Sequence, residues 1–228
     1  MARILLLRHG ETDWNRVDRI QGWGDISLND RGRKQARAAA AFLADQYPDL
    51  DRLLSSDLPR ATETATAITS IDAFGHLEVE YDPVWRERKF GVYQGQAGDR
   101  FFEENPEFAV LDGPEDAKHN VPEEGESYVA FRERVSSAWK DLRMETDDTA
   151  LVVTHSGVIR AIIAAVEDAV IEDVFLEYDV ANASITEILV DGEPRIDGVN
   201  RVTHLPSSQS PASQSPPREK TRPPREKD

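Results

Sequence analysis

Ile4-Leu5-Leu6-Leu7-Arg8-His9-Gly10-Glu11-Thr12, with Asn15 close behind, is the stretch that decides the fold. Four apolar residues bounded by polar ones read as a buried strand. The strand therefore opens into a loop at Arg8-His9-Gly10. In an open α/β sheet, ligands sit in the crevice beyond the carboxyl ends of the strands. A guanidinium there offers a planar fork of donors that matches phosphate oxygens, and Gly10 lets the backbone bend towards a ligand.

Three residues alone fit a structural histidine equally well. The pattern returns, however, at Leu151-Val152-Val153-Thr154-His155-Ser156-Gly157, followed by the helical-looking Val158-Ile159-Arg160-Ala161-Ile162-Ile163. Two strand-end histidines, each with a glycine one or two residues on, are poorly explained by packing.

Between and after these strands the periodicity fills in an α/β domain. Residues 29–47 carry Ala36, Ala39, Ala40 and Leu43 at helical spacing, and residues 18–28, with Gln21-Gly22-Trp23-Gly24, read as a loop. Leu53-Leu54 forms a short strand. Ser56 or Asp57 is the expected cap of a helix over residues 58–71, which puts Arg60 in its first turn. Residues 77–81 alternate as a strand, and residues 96–125 read as an irregular wall over the site. Phe131, Val135, Ala138 and Leu142 mark a long helix leading to the Leu151 strand. Residues 185–190 and 196–199 form an edge hairpin turned at Asp191-Gly192.

With 228 residues, 39% of them apolar, the chain can build one full domain, expected over residues 1–205. Residues 206–228 turn to Pro, Ser, Gln and charge, a composition expected to be disordered. No run has the length of a membrane helix or a signal segment, so a cytoplasmic protein without a membrane partner is expected. Zero cysteines exclude disulfides, thiolate zinc sites and cysteine nucleophiles.

Acidic residues outnumber basic ones 43 to 27, a net charge of −16, and only six of the basic residues are lysines. The tail contributes five basic and three acidic residues, which leaves the body near −18. Such a balance disfavours nucleic acid as a partner. It fits a halophile's surface, whose self-repulsion is screened at molar salt by a Debye length of about 3 Å, and it equally fits a plain solvated acidic face.

Strand ends and early helix turns thus direct Arg8, His9, Arg60, Glu87 and His155 towards one point. The segments carrying them resemble the histidine phosphatase superfamily, the group of phosphoglycerate mutases and their phosphatase relatives. Four stretches carry the likeness in the family's order: Leu5 to Thr12, Ser55 to Ala61, Glu87-Arg88-Lys89-Phe90-Gly91-Val92-Tyr93-Gln94-Gly95, and Thr154 to Arg160. The resemblance implies a three-layer α/β/α sandwich on a mostly parallel sheet. It implies that His9 takes the phosphoryl group, that Glu87 protonates the leaving oxygen, and that Arg8, Arg60 and His155 hold the phosphoryl oxygens, with Asn15, Gln21 and Gly22 lining the pocket. Phosphoryl transfer spreads charge over three equatorial oxygens, so two guanidiniums and an imidazole can serve without metal or cofactor. His9 then needs its second ring nitrogen held, as by a backbone carbonyl, and Glu87 must keep a proton until the alkoxide leaves.

The mutases of the family bind a second anionic group with basic residues in the insertion after the glutamate motif. Here residues 96–126 hold Arg100 and Lys118 against ten acidic residues, and Gly98 stands about where the mutases show a lysine. A phosphomonoester hydrolase is therefore expected, on a small phosphorylated metabolite with an uncharged or apolar body. A 2,3-bisphosphoglycerate-dependent phosphoglycerate mutase is the alternative, since Arg86, Arg88 and Lys89 could restore some positive charge. A non-catalytic phosphate-binding or tail-presenting module is a third reading. The oligomeric state and the particular substrate are not legible.

Overall fold

The structure, a computed structural model, describes residues 1–206 apart from Asp112 and Glu115. Apart from Pro206, the expected tail lies outside the described residues. In chain order the elements are β1 (Ala2–Arg8), α1 (Asp13–Arg16), α2 (Asp30–Gln46), β2 (Leu50–Ser55), α3 (Pro59–Thr69), β3 (Val79–Tyr81), α4 (Gly98–Glu104), α5 (Tyr128–Glu145), β4 (Thr149–Thr154), α6 (Ser156–Val166), α7 (Ile171–Glu177), β5 (Ile185–Asp191) and β6 (Glu193–Arg201).

The strands form one sheet in the order β3-β2-β4-β1-β5-β6. The first four are parallel, and the β5–β6 hairpin closes one edge antiparallel. Helices cover both faces, which is why β1 and β4 read as continuous apolar runs. Leu5, Leu7, Leu151 and Val153 pack against Ala39, Ala40 and Leu43 of α2 and Ala61, Ala65 and Ile68 of α3. Ile4, Leu6 and Val152 pack on the other side against Phe131, Val135 and Trp139 of α5 and Val158, Ile159 and Ile162 of α6. The fold is the expected α/β/α sandwich. No helix among the described residues is long and apolar enough to cross a membrane.

Three local expectations change. Helix α3 is capped by Leu58 with no side-chain hydrogen bond, Pro59 supplying its preset backbone angle at the first turn. Asp57 instead pairs with Arg86, Nε to Oδ1 at 2.6 Å, and the Ser56 hydroxyl turns to His155. The stretch after Gly95 is not irregular throughout: α4 buries Phe101, which stacks on Phe108 with ring centres 6.1 Å apart and also meets Phe90 and Tyr93. This small aromatic core, separate from the sheet, gives the wall its own anchorage. Helix α7, whose run is short and half-exposed, has no counterpart in the sequence reading. The hairpin turns at Gly192 in the left-handed region (φ 79°), as the Asp-Gly pair predicts.

Candidate active site

Parallel pairing puts the two histidines together. Arg8 pairs with Thr154 and Leu7 with Val153, so His9 and His155 are the first residues beyond the same edge of adjacent strands. Their ring centres lie 5.1 Å apart. Ser55 pairs with Val153 on the other side of β4, which delivers Ser56 to the same place.

His9 is buried, and its Nδ1 lies 2.7 Å from the carbonyl oxygen of Gly10. A carbonyl only accepts, so in the neutral ring Nδ1 carries the proton and Nε2 keeps its lone pair. Neutrality follows from the surroundings. Burial, then the positive charges of Arg60 and Arg8, pull the imidazole well below its usual pKa, against a small opposing effect of the Gly10 carbonyl. His155 has no exposed surface and is likewise pulled down by burial and by Arg60. Its Nε2 lies 2.9 Å from Ser56 Oγ, which already accepts from the Leu58 amide. With the Ser56 hydroxyl donating to Nε2, the ring proton sits on Nδ1, which has no partner among the described residues.

Both arginines are braced by carbonyls rather than carboxylates. Arg8 donates to Val180 O at 2.6 Å, and Arg60 donates to Gly22 O at 2.7 Å and Gly24 O at 3.1 Å. Burial lowers each to a pKa of about 10, still fully charged at neutral pH, and the Nε of each has no partner among the described residues. Two buried cations without a paired carboxylate are costly unless an anion joins them. Glu87 is the acidic group whose field reaches both.

Glu87 is held from two directions. Its Oε1 accepts from the Arg88 amide at 2.9 Å and its Oε2 from the Gly157 amide at 3.0 Å. Its backbone carbonyl accepts from Trp23 Nε1 at 2.7 Å. Gly157 is required by this contact, because a Cβ there would lie 2.1 Å from Oε1. Gly10 serves differently from expectation: a Cβ on it would meet the Gly32 carbonyl oxygen at 2.5 Å, so the glycine admits the start of α2 rather than a ligand.

Arg8, His9, Arg60 and Glu87 open on one cavity of about 870 Å³, with Asn15, Gln21 and Gly22 also on its wall. His155 is fully buried and does not itself line the cavity, although its ring lies beside that of His9. The cavity far exceeds a phosphoryl group, and its wall is less acidic than the composition of residues 96–126 suggests. Phe102, Leu111 and Phe175 line it, and so do Arg88, Tyr128 and Arg160. Arg88 donates to Phe108 O and Glu126 O, yet its second terminal nitrogen and the Tyr128 hydroxyl are buried without partners among the described residues. Most acidic residues of the insertion point elsewhere; Asp99 and Glu103 alone among those described line the cavity. Sequence reasoning missed Ser56 as the partner of His155, Tyr128 and Arg160 as wall residues, and Asn182. Arg160 had a signal, its place one turn beyond His155 on α6; Tyr128 reaches the cavity only through tertiary packing.

Residues 4–201 match the family model of the histidine phosphatase superfamily (branch 1). The chain is 36% identical over 162 residues to phosphoglycerate mutase-like protein 4 of Arabidopsis thaliana, covering 71% of this chain and 69% of that protein. It is 34% identical over 211 residues to the metal-independent phosphoserine phosphatase of the same plant, covering 91% and 84%. Its fold superposes on a mycobacterial glucosyl-3-phosphoglycerate phosphatase in complex with VO3 with a TM-score of 0.74 at 32% identity, covering 88% of this chain and 99% of that one.

Proposed function

The chain belongs to the histidine phosphatase superfamily, and from that membership we propose that it is a metal-independent phosphomonoesterase whose nucleophile is His9. The observation that carries the reading is the pair of neutral imidazoles with ring centres 5.1 Å apart beside two arginines that no carboxylate among the described residues pairs with, and the Glu87 side chain on the same cavity. The Nε2 lone pair of His9 attacks phosphorus, and the bond from phosphorus to the ester oxygen breaks. Glu87 gives its proton to the departing oxygen. Arg8, Arg60 and the Nδ1–H of His155 take the charge spread over the equatorial oxygens. Water then attacks the phosphohistidine while Glu87 takes back a proton, and inorganic phosphate leaves.

The substrate is read as a small phosphorylated acid. The unpartnered donors of Arg88 and Tyr128 and the nearby Arg160 fit a carboxylate on the substrate's body, and two of the relatives are phosphatases of phosphoserine and of glucosyl-3-phosphoglycerate. The same reading puts the enzyme in the cytoplasm, where phosphorylated acids are made and consumed.

Phosphate release from phosphoserine, 3-phosphoglycerate, phosphoethanolamine and nitrophenyl phosphate tests this, with a parallel assay for phosphoglycerate interconversion primed by 2,3-bisphosphoglycerate. Free phosphate is expected, with a lower KM for the two acids than for phosphoethanolamine. Interconversion without release would establish a mutase, neither activity would leave a binding module, and equal KM values would remove the carboxylate from the reading.

A further inference from the structure

We propose that Asn182, outside the substrate cavity, is the positioning residue that sets both the nucleophile loop and the amide of Asn15. The proposal rests on the phosphatase reading above only for its kinetic arm. One amide nitrogen, Nδ2 of Asn182, faces three oxygens: the carbonyl of His9 at 3.2 Å, the carbonyl of Gly10 at 3.4 Å and Oδ1 of Asn15 at 3.1 Å. All three are acceptors, so the orientation of the Asn182 amide is fixed.

Two consequences follow at the reacting groups. The Gly10 carbonyl that Asn182 touches is the one that accepts from His9 Nδ1. Its placement decides which nitrogen of the ring carries the proton, and so whether Nε2 is free to attack. Oδ1 of Asn15, meanwhile, accepts from the Thr12 amide and from Asn182, each at 3.1 Å, and faces the Thr12 hydroxyl, whose one proton has Gln21 Oε1 as a second acceptor at 3.1 Å. With that oxygen committed to two N–H donors, the NH2 of Asn15 is the end left for the cavity, where it can donate to a phosphoryl oxygen.

The turn that carries Asn182 is itself clamped to β1. The Ala183 amide donates to the carbonyls of Arg8 and His9, each at 3.1 Å, with Ala183 in the left-handed region (φ 56°), where a non-glycine residue is uncommon. The Ala181 amide is held by Asn200 Oδ1 at 2.8 Å. A strained, doubly anchored turn is suited to fixing a side chain in one place. The Asn182-Ala183-Ser184 sequence thus serves the site by its amide.

The test uses the full chain as Asn182→Ala, Asn182→Asp, Asn15→Ala and the Asn182→Ala/Asn15→Ala double variant, each checked by thermal unfolding. A misplacement of reacting groups on the order of 1 Å costs about 100-fold. We expect kcat to fall about 10- to 100-fold in Asn182→Ala, and the double variant to lose less than the product of the two single losses, because part of the effect of Asn182 passes through its contact with Asn15. In Asn182→Asp activity should rise as pH is lowered, since only the protonated acid has a hydrogen to donate towards these oxygens, and the carboxylate repels them. Independently of activity, nitrogen-15 spectra of the histidines should show His9 protonated on Nδ1 in the wild type and a mixture of tautomers in Asn182→Ala. Losses within twofold, additive losses in the double variant, or an unchanged His9 tautomer would each overturn the proposal. The spectra decide it even if none of the esters is hydrolysed.

Discussion

Gly157→Ala separates the role of Glu87 from the rest of the site. The new methyl carbon would fall 2.1 Å from Glu87 Oε1 and 3.2 Å from Oε2, whereas ordinary contact begins near 3.4 Å. The backbone of α6 is locked under the sheet by Val158 and Ile159, both fully buried, so the flexible carboxylate must yield by more than an ångström. That movement breaks its hydrogen bonds to the amides of Gly157 and Arg88. Stability should hold or rise slightly, because alanine in a helix is favoured over glycine by about 0.5–1 kcal/mol. Catalysis should not. A displacement of about 1 Å in a proton donor costs roughly 100-fold, and the loss falls on esters whose alkoxide needs the proton. The assay is kcat for an alkyl phosphate and for nitrophenyl phosphate, whose phenolate leaves unaided, beside a thermal melt. We expect about 100-fold loss on the alkyl ester, less than about 5-fold on the aryl ester, and an undiminished melting temperature. Equal losses on both esters, or full activity on both, would refute the assignment of Glu87 as the acid.

Other consequences follow from the same contacts. His9 and His155 are neutral in the fold with depressed pKa values, whereas the unfolded chain takes up protons near the usual imidazole value of about 6.5. Their contribution to stability is therefore full above that pH and lost as pH falls below it; urea midpoints should drop between pH 7 and pH 5, less steeply in His155→Gln, and parallel curves for the two proteins would count against the shift. Glu187, nearly buried, accepts from Arg3 Nε at 2.7 Å and Tyr47 Oη at 2.9 Å and pairs with Arg201. Glu187→Ala should cost about 1–2 kcal/mol, since Arg201 keeps Asp197 and both arginines are partly solvated, while kcat stays at the wild-type value, since none of these residues lines the cavity. If the net charge of −16 reflects adaptation to salt, the unfolding midpoint should rise steadily with potassium chloride; a maximum at low salt would end that reading.

What sequence could reveal here depended on how local the physics was. Leu5 to Arg8 and Leu151 to Thr154 declare themselves as buried parallel strands because both faces are covered, and once they pair in register His9 and His155 must meet. Arg60 follows from its place at the first turn of α3, directly after β2. The misses are groups whose roles are set across the fold. Ser56 looks like a cap until β2 brings it to His155, 99 residues away. Asn182 looks incidental until the antiparallel strand β5 sets it over the Gly10 carbonyl. The acidic insertion misled because composition counts charges without saying which way they face: Arg88 and Arg160 line the cavity, while of the described carboxylates in residues 96–126 only Asp99 and Glu103 do. A helix of seven residues such as α7 is held by packing of Ile171 and Val174 against the core, which propensity alone does not supply.

Rapid quenching of the enzyme with phosphorus-32-labelled phosphomonoester, followed by peptide mapping under alkaline conditions, tests the central claim most directly. The account predicts an acid-labile, base-stable label on His9, formed in a burst of about one per chain, and no label in His9→Ala. A label on His155, or turnover with no labelled histidine at all, would contradict it.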